Sequence, residues 1–249
     1  MSHLKAIIVI PARLDSSRLP RKVLADVDGR PMLWHVYQRC RQVSNASEVH
    51  IATDADSVAE VVRQWGGCQV WMTDSSCVSG TERIVSILDQ LEADIIVNVQ
   101  GDQPTIEPAL INQLIETFEQ TVPTPDIVTP VYPIVDAEKL VNSNTVKVIR
   151  RHDGYALYFS RSPIPYVRDE NREHWLKCVP YWGHVGVYGY RRQVLEEYHS
   201  LPKSDLEDSE KLEQLRFLQA GKNILTFKTA DCPISIDTNE DLQQLRHSL

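Results

Sequence analysis

No run of apolar residues in this 249-residue sequence approaches the roughly 18 needed to cross a bilayer, so no membrane span is expected. Excess positive charge is also missing. The chain carries 26 Lys and Arg against 34 Asp and Glu, a net charge of −8. An acidic chain is a poor general binder of nucleic acid or anionic membrane, and neither partner is expected. Cysteine is scarce and unpatterned: five residues, Cys40, Cys68, Cys77, Cys178 and Cys232, with no C-x-x-C pair. The odd number and the spacing argue against a disulfide framework and against a zinc ribbon. Free thiols point to a reducing compartment. Neither glycine-rich phosphate motif, G-x-x-x-x-G-K-[ST] or G-x-G-x-x-G, is present, which excludes a P-loop and a dinucleotide fingerprint. No internal repeat, low-complexity tract or flexible linker interrupts the chain. Residues 1–5 run straight into a strand-like segment whose apolar run is too short for a signal-peptide core. A cytoplasmic protein is expected.

What is present is ordinary globular material: 42% hydrophobic and 24% charged residues. At this length about three quarters of the unfolded surface can be buried, enough for a core without staples. In the first half, short apolar runs alternate with helical patterns. Strands are expected over residues 6–10, 49–53, 69–72 and 94–99. Helices are expected over 31–41, 56–65 and 80–91, with turn signals at Asp28-Gly29 and Gly66-Gly67. Such alternation implies βαβ units, a mostly parallel sheet, and ligands bound outside the carboxyl ends of its strands. The second half is less regular. Strands are expected over 127–133, 146–150, 156–159 and 185–190 without a helix between each, which implies antiparallel additions. Residues 162–181, with three prolines, read as a loop excursion. Ser204 and Glu207 form a capping box opening a helix to about residue 220, followed by a strand over 224–227 and a helix over 238–246.

Five places stand out chemically. Between residues 13 and 22 there are four basic side chains (Arg13, Arg18, Arg21, Lys22) and one acid, with Ser16 and Ser17 as hydroxyl donors. Positive charge at a strand's carboxyl end suits a polyanion such as a nucleoside triphosphate, and it also suits a solvated basic loop. Asp102, after a buried strand and Gly101, is placed for Mg²⁺, which takes one or two carboxylates plus substrate phosphates. It reads equally as an aspartate closing a turn before Pro104. Asp237 ends another strand, where either it or Thr238 also reads as a helix cap completed by Glu240 or Asp241. Alternation puts His184, Gly186 and Tyr188 on one strand face, able to hold a sugar or simply to pack. Arg161 follows a strand, where a plain surface arginine is equally natural. Asp54-Ala55-Asp56 has the form of a D-x-D metal motif, but it lies where a helix starts and acids are favoured by its dipole.

Taken together, these segments resemble the CMP-3-deoxy-manno-octulosonate (CMP-Kdo) synthetase family, the cytidylyltransferases that activate the acidic sugar Kdo for lipopolysaccharide assembly. The resemblance runs along nearly the whole chain in order: IIVIPAR and SSRLPRK (7–22), SGTER (79–83), IIVNVQGDQP (95–104), NSNTVKV (142–148), GYALYFSRSPIP (154–165), HVGVYGY (184–190), LEQLR (212–216) and DTNEDL (237–242). It implies a three-layer α/β nucleotidyltransferase fold with a mixed, mostly parallel sheet and a smaller sugar-binding and dimer lobe. In one domain, the nucleotide part would span about 1–135, the lobe about 136–200, and 201–249 would return to the sheet. It implies a homodimer and Mg²⁺-dependent transfer of CMP from CTP to Kdo with release of pyrophosphate. Carried over by motif, Arg13, Ser17, Arg18 and Lys22 would hold the triphosphate, while Ser79, Gly80, Arg83 and Gln100 line the nucleotide pocket. Asp102 and Asp237 would bind the metal, and Arg161, His184, Tyr188, Glu213 and Gln214 would contact the sugar. Lys22, Arg18 and Asp102 would serve the chemical step.

The chain also departs from the family pattern. Thr73-Asp74-Ser75-Ser76-Cys77-Val78 stands where Thr-Arg-x-Asp-His-x is usual, Arg21 stands for a glycine, and Asn239 stands for a proline. Losing an arginine and a histidine while gaining Asp74 would favour a substrate with added positive charge, such as 8-amino-3,8-dideoxy-manno-octulosonate (8-amino-Kdo). A cytidylyltransferase for another acidic sugar of the sialic type is set back by HVGVYGY and LEQLR, which match the Kdo branch. A non-catalytic relative is set back by the retained Asp102, Asp237, Lys22 and Arg18.

Overall fold

The computed structural model describes residues 4–15, 19–230, 235–236 and 238–248. The first strand, β1 (Ala6–Pro11), is buried along its whole length. It lies between two parallel neighbours and under helices on both faces, which is why its sequence is a continuous apolar run rather than an alternating one. A small hairpin follows, β2 (Asp26–Val27) and β3 (Arg30–Pro31). Asp28 and Gly29 between them both have positive φ, 50° and 74°, as a tight two-residue hairpin turn requires. The chain continues through α1 (Met32–Cys40), β4 (Glu48–Thr53), α2 (Asp56–Arg63), β5 (Gln69–Met72), α3 (Gly80–Val85) and β6 (Ile95–Asn98). Then come α4 (Pro108–Gln120), β7 (Ile127–Ile134), α5 (Ala137–Val141), β8 (Lys147–Arg150), β9 (Ala156–Ser160) and α6 (Trp175–Cys178). The last elements are β10 (Tyr181–His184), β11 (Tyr188–Arg191), α7 (Arg192–Glu196), α8 (Asp205–Glu210), α9 (Gln214–Gln219), β12 (Ile224–Lys228) and α10 (Asn239–Ser248).

Ten strands form one sheet in the order β5-β4-β1-β6-β11-β7-β10-β8-β9, with β12 also on β7. The run β5-β4-β1-β6 is parallel, as is β12 on β7. The pairs β6–β11, β11–β7, β7–β10, β10–β8 and β8–β9 are antiparallel. The expected antiparallel additions are therefore part of the main sheet. Side chains of β1 leave alternately toward its two faces. Ala6, Ile8 and Ile10 join a core with Leu33, Val36, Val58, Val62, Leu110 and Leu114 from α1, α2 and α4. Ile7 and Val9 join a second core with Ile84, Val194, Leu195, Leu215 and Phe217 from α3, α7 and α9. Helix, sheet and helix make the three layers. A third, smaller cluster packs Leu242 and Leu245 of α10 against Val27 and Met32. Among the described residues no helix is long and apolar enough to cross a membrane.

Three expected elements are corrected. The strand expected over 185–190 is β11, which begins only at Tyr188; residues 185–187 break the ladder and separate it from β10, which ends at His184. The cause lies across the ladder. Val185 N–H donates to Pro130 O at 3.1 Å, but Pro130 has no N–H to return to that side of the strand. The backbone bulges, and the buried Thr129 hydroxyl fills the gap, donating to Val187 O at 2.8 Å with Val185 O at 3.2 Å. The helix expected over 204–220 is two. Ser204 caps α8, accepting from Glu207 N–H at 2.9 Å, but α8 has no buried residue, and Lys211 ends it in the left-handed region at φ 53°. α9 then restarts on a new axis that buries Gln214, Leu215 and Phe217. The helix over 80–91 stops at Val85 and gives way to a short 3₁₀ turn, Leu88–Gln90. The Arg192 guanidinium holds that turn through Leu88 O and Leu91 O. Helices α4, α5, α6 and α7 go beyond the expectations. α4 starts with Pro108 and buries Leu110, Ile111, Leu114, Ile115 and Phe118, a helical spacing that is plain in the sequence once sought.

Candidate active site

The loops after β1 and β6 meet at the carboxyl ends of the two parallel strands. Their approach depends on Gly101, where an added Cβ would stand 3.1 Å from Pro11 O and 3.4 Å from a Val23 methyl. Lys22 opens a short 3₁₀ turn, and Arg21 before it sits in the left-handed region (φ 55°, ψ 32°). That is a conformation glycine adopts without steric cost and other residues adopt rarely. Across the junction Lys22 Nζ donates to Asp102 Oδ2 at 2.6 Å, with both side chains mostly buried. Ile236, the chain neighbour of Asp237, donates its N–H to Asp102 O at 3.0 Å. Ser17, Arg18 and Asp237 themselves lie outside the described residues.

Beside this pair is a cavity of about 150 Å³ lined by Arg13, Ser79, Gly80, Arg83, Gln100 and Glu213. The structure thus gathers five residues expected around the nucleotide, and adds Glu213 from the sugar set. Gly80 keeps the cavity open: a Cβ there would lie 3.1 Å from the Pro11 ring and 3.5 Å from the Gln100 amide. Gln100 Nε2 donates to Asn98 Oδ1 at 3.0 Å, which leaves the carbonyl end of the amide as an acceptor. Ser79 caps α3, accepting from Glu82 N–H at 3.1 Å, and its hydroxyl also engages the Tyr198 phenol. Arg83 is 2% exposed. Its guanidinium is committed to Asp54 Oδ2 at 2.8 Å and to Thr73 Oγ1. Arg83 therefore shapes the wall rather than reaching across the cavity. Asp54, at the end of β4, is its anchor. Only Asp56 of the D-x-D pattern lies in the first turn of α2.

The residues expected to contact the sugar assemble by a different route than alternation on one strand. His184 ends β10 and Tyr188 begins β11. The bulge between them still brings the two rings to 5.1 Å, with Tyr188 stacked on Tyr190 at 5.7 Å. His184 Nε2 donates to the Thr129 hydroxyl at 2.9 Å. Burial pushes the imidazole down to about 3, and burial, with Tyr190 and Glu213 nearby, pushes the Tyr188 phenol well above its usual range. Both groups are uncharged hydrogen-bonding surfaces at neutral pH. Register places Tyr188 directly opposite Asn98, the residue that orients Gln100, so the two halves share one strand pair. Glu213 also spans them, accepting from Thr81 N–H at 3.4 Å, while Gln214 is buried with its Nε2 unpartnered among the described residues.

Arg161 is committed to backbone: Nε to Glu210 O at 2.7 Å, Nη1 to Ser143 O at 2.9 Å and Nη2 to Lys211 O at 3.4 Å. It ties the break between α8 and α9 to the loop before β8. Lys147 was assigned no role by motif, yet it is fully buried. Its ammonium donates to Asn142 O at 3.1 Å, Thr145 O at 2.6 Å and Arg161 O, and burial pushes it down to about 8. A lysine within the apolar strand pattern Val146-Lys147-Val148 was the available signal. Thr238 takes the capping role in α10, accepting from Asp241 N–H at 3.2 Å while its own N–H donates to Asp241 Oδ2 at 2.8 Å. Asp74 turns its carboxylate back on Ser76 N–H at 2.7 Å, which ties it to its own exposed turn.

Residues 7–224 match the family described as cytidylyltransferase. A curated relative from Escherichia coli, 3-deoxy-manno-octulosonate cytidylyltransferase, is 43% identical over 97% of this chain and 95% of its own length. A relative of the same name from Chlorobium phaeobacteroides is 43% identical over 99% and 98%. Among solved structures, CMP:2-keto-3-deoxy-manno-octonic acid synthetase complexed with CTP superposes with a TM-score of 0.91 at 43% identity, covering 98% of both chains. A cytidylyltransferase from Leptospira borgpetersenii, 16% identical with a TM-score of 0.66, shares the fold.

Proposed function

The chain belongs to the cytidylyltransferase family, and from that premise we propose that it transfers CMP from CTP to Kdo, releasing pyrophosphate. The observation that carries this reading is the Lys22–Asp102 contact at 2.6 Å, next in the chain to the cavity that Arg13, Ser79, Gly80 and Gln100 line.

In this reading the sugar's anomeric hydroxyl attacks the α-phosphorus. The new bond is oxygen to phosphorus, the bond from α-phosphorus to the bridging oxygen breaks, and pyrophosphate leaves in line. Negative charge gathers on phosphate oxygens, so positioned cations do most of what the protein can do. Lys22 and Arg13, with Arg18, meet the triphosphate. Gln100 presents its carbonyl oxygen to a donor such as the cytosine amine. His184 and Tyr188, both neutral, hold the sugar without competing for the phosphates. Glu213, placed between the two halves, orients the hydroxyls.

Magnesium fits the donor set. Asp102 offers hard carboxylate oxygen and is engaged by Lys22 through Oδ2, and Mg²⁺ characteristically takes one or two carboxylates plus substrate phosphates. Asp102 and Asp237 would hold it, where it would neutralise phosphate charge and lower the pKa of the attacking hydroxyl. The reading includes a homodimer, which sedimentation velocity tests.

The test is pyrophosphate release with CTP and Mg²⁺, comparing Kdo, 8-amino-Kdo and N-acetylneuraminate as acceptors. Release with Kdo supports the reading. A strong preference for 8-amino-Kdo moves the acceptor and makes the Asp74–Cys77 segment the place to mutate. Release with none of the three overturns it.

A further inference from the structure

Gln103 follows Asp102 directly, and no motif gave it a role. Its backbone is fixed on both sides: Gln103 N–H donates to Gln100 O at 3.3 Å, and Ile106 N–H donates to Gln103 O at 3.1 Å. The side chain is 5% exposed, and its Oε1 has no hydrogen-bond partner among the described residues. It points to the bulge between β10 and β11, where a Cβ built on Gly186 would stand 3.8 Å from Gln103 Nε2. Gly186 lies between His184 and Tyr188, so the amide sits between the Asp102 loop and the sugar-side rings.

A buried amide oxygen left unpaired loses its hydration and gains nothing in return. Native structures keep few such groups, and each has a reason. Gln214 repeats the pattern: it follows Glu213, is 3% exposed, and has its Nε2 unpartnered. One buried amide is short of a donor and the other is short of an acceptor. A polyhydroxylated ligand supplies both, because each hydroxyl donates and accepts.

We propose that the Gln103 side-chain amide is a specificity contact for the acidic sugar, receiving a hydrogen bond from one of its hydroxyl groups. The proposal rests on the cytidylyltransferase reading above. The amide reads the acceptor and not the nucleotide: its side chain lies against Gly186, and the nucleotide cavity is lined by Gln100 instead. A ligand lacking the matching hydroxyl leaves the amide buried and unpaired, which is how a polar site rejects a close analogue.

The experiment is steady-state kinetics of the full-length wild type, Q103L and Q103M with CTP and Kdo, alongside thermal unfolding. The expected result is a KM for Kdo raised roughly 10-fold to 100-fold, a KM for CTP little changed, and a Tm equal to or above wild type, since an unpaired buried polar group has been removed. Q103M keeps the side-chain length and supplies the same reading if Q103L does not fold. A KM for Kdo unchanged in the folded variants overturns the proposal, whatever happens to Tm, and leaves the amide a purely structural group. An equal rise for CTP and Kdo also overturns it. Inactivity of the wild type with CTP and Kdo is a separate failure, of the cytidylyltransferase reading itself.

Discussion

Lys22 and Asp102, 80 residues apart in sequence, are joined by one hydrogen bond of 2.6 Å between Nζ and Oδ2. Neither is on a regular strand or α-helix. Each lies in a loop that leaves the carboxyl end of a parallel strand, and Gly101 lets those loops touch. The opposite charges of the two groups face one another directly. In the proposed function a triphosphate would offer the lysine a second anion, and a divalent cation would offer the carboxylate a second cation.

Replacing Lys22 with Met is therefore expected to cut kcat/KM by roughly 10²–10³-fold, the usual effect of removing one donor aimed at developing charge. Asp102→Asn still accepts from Lys22 but is a poor magnesium ligand. It is expected to lose turnover almost completely while keeping its far-ultraviolet circular dichroism. Near-normal turnover in Asp102→Asn would remove the metal role from this carboxylate.

The Arg83–Asp54 pair is a different kind of ionic contact. Arg83 is 2% exposed and Asp54 is largely buried, so removing one partner strands the other in the interior. Asp54→Ala is expected to lose about 3–5 kcal/mol of stability, read by urea unfolding. The same variant should raise KM for CTP, because Arg83 and Thr73 hold the wall of the nucleotide cavity. A loss within the range of an exposed pair, about 0–1 kcal/mol, would contradict the buried geometry.

His184 gives the fold a specific acid sensitivity. Burial holds its folded pKa down to about 3, against an ordinary 6.5. Between those values the unfolded chain binds a proton that the folded chain does not, so stability falls as pH drops from about 6.5 toward 3. At about pH 5 this group accounts for about 2 kcal/mol of the loss. His184→Gln retains a donor for Thr129 and cannot titrate. Its Tm should fall less than that of the wild type between about pH 7.5 and about pH 5. Equal falls would show that His184 is not held neutral by the fold.

The parts that could be read from sequence and the parts that could not differ by how local their causes are. β1 and β6 were legible because strands buried on both faces leave unbroken apolar runs, and β4 and β5 because short β-branched and aromatic runs stand between turn signals. The meeting of Lys22 with Asp102 was half legible, because each charge stood after a strand, while which charge meets which depends on how the two loops pack. The split between β10 and β11 was not legible, because its cause is Pro130, on another strand. The committed state of Arg83 depends on Asp54 and Thr73, and that of Arg161 on three remote carbonyls, so both read as free cations in the sequence. Gln103 was invisible for the opposite reason: its meaning lies in a partner it lacks, which only a packed interior reveals.

The most direct test follows the fate of the α-phosphate. Wild type and Asp102→Asn would be given CTP labelled at the α-phosphorus, with Kdo and Mg²⁺, and the products separated. The wild type should move the label into a CMP-sugar with one pyrophosphate released per sugar, and Asp102→Asn should leave it in CTP. Label retained on CDP or CTP by the wild type, or equal transfer by the variant, would contradict nucleotidyl transfer at this site.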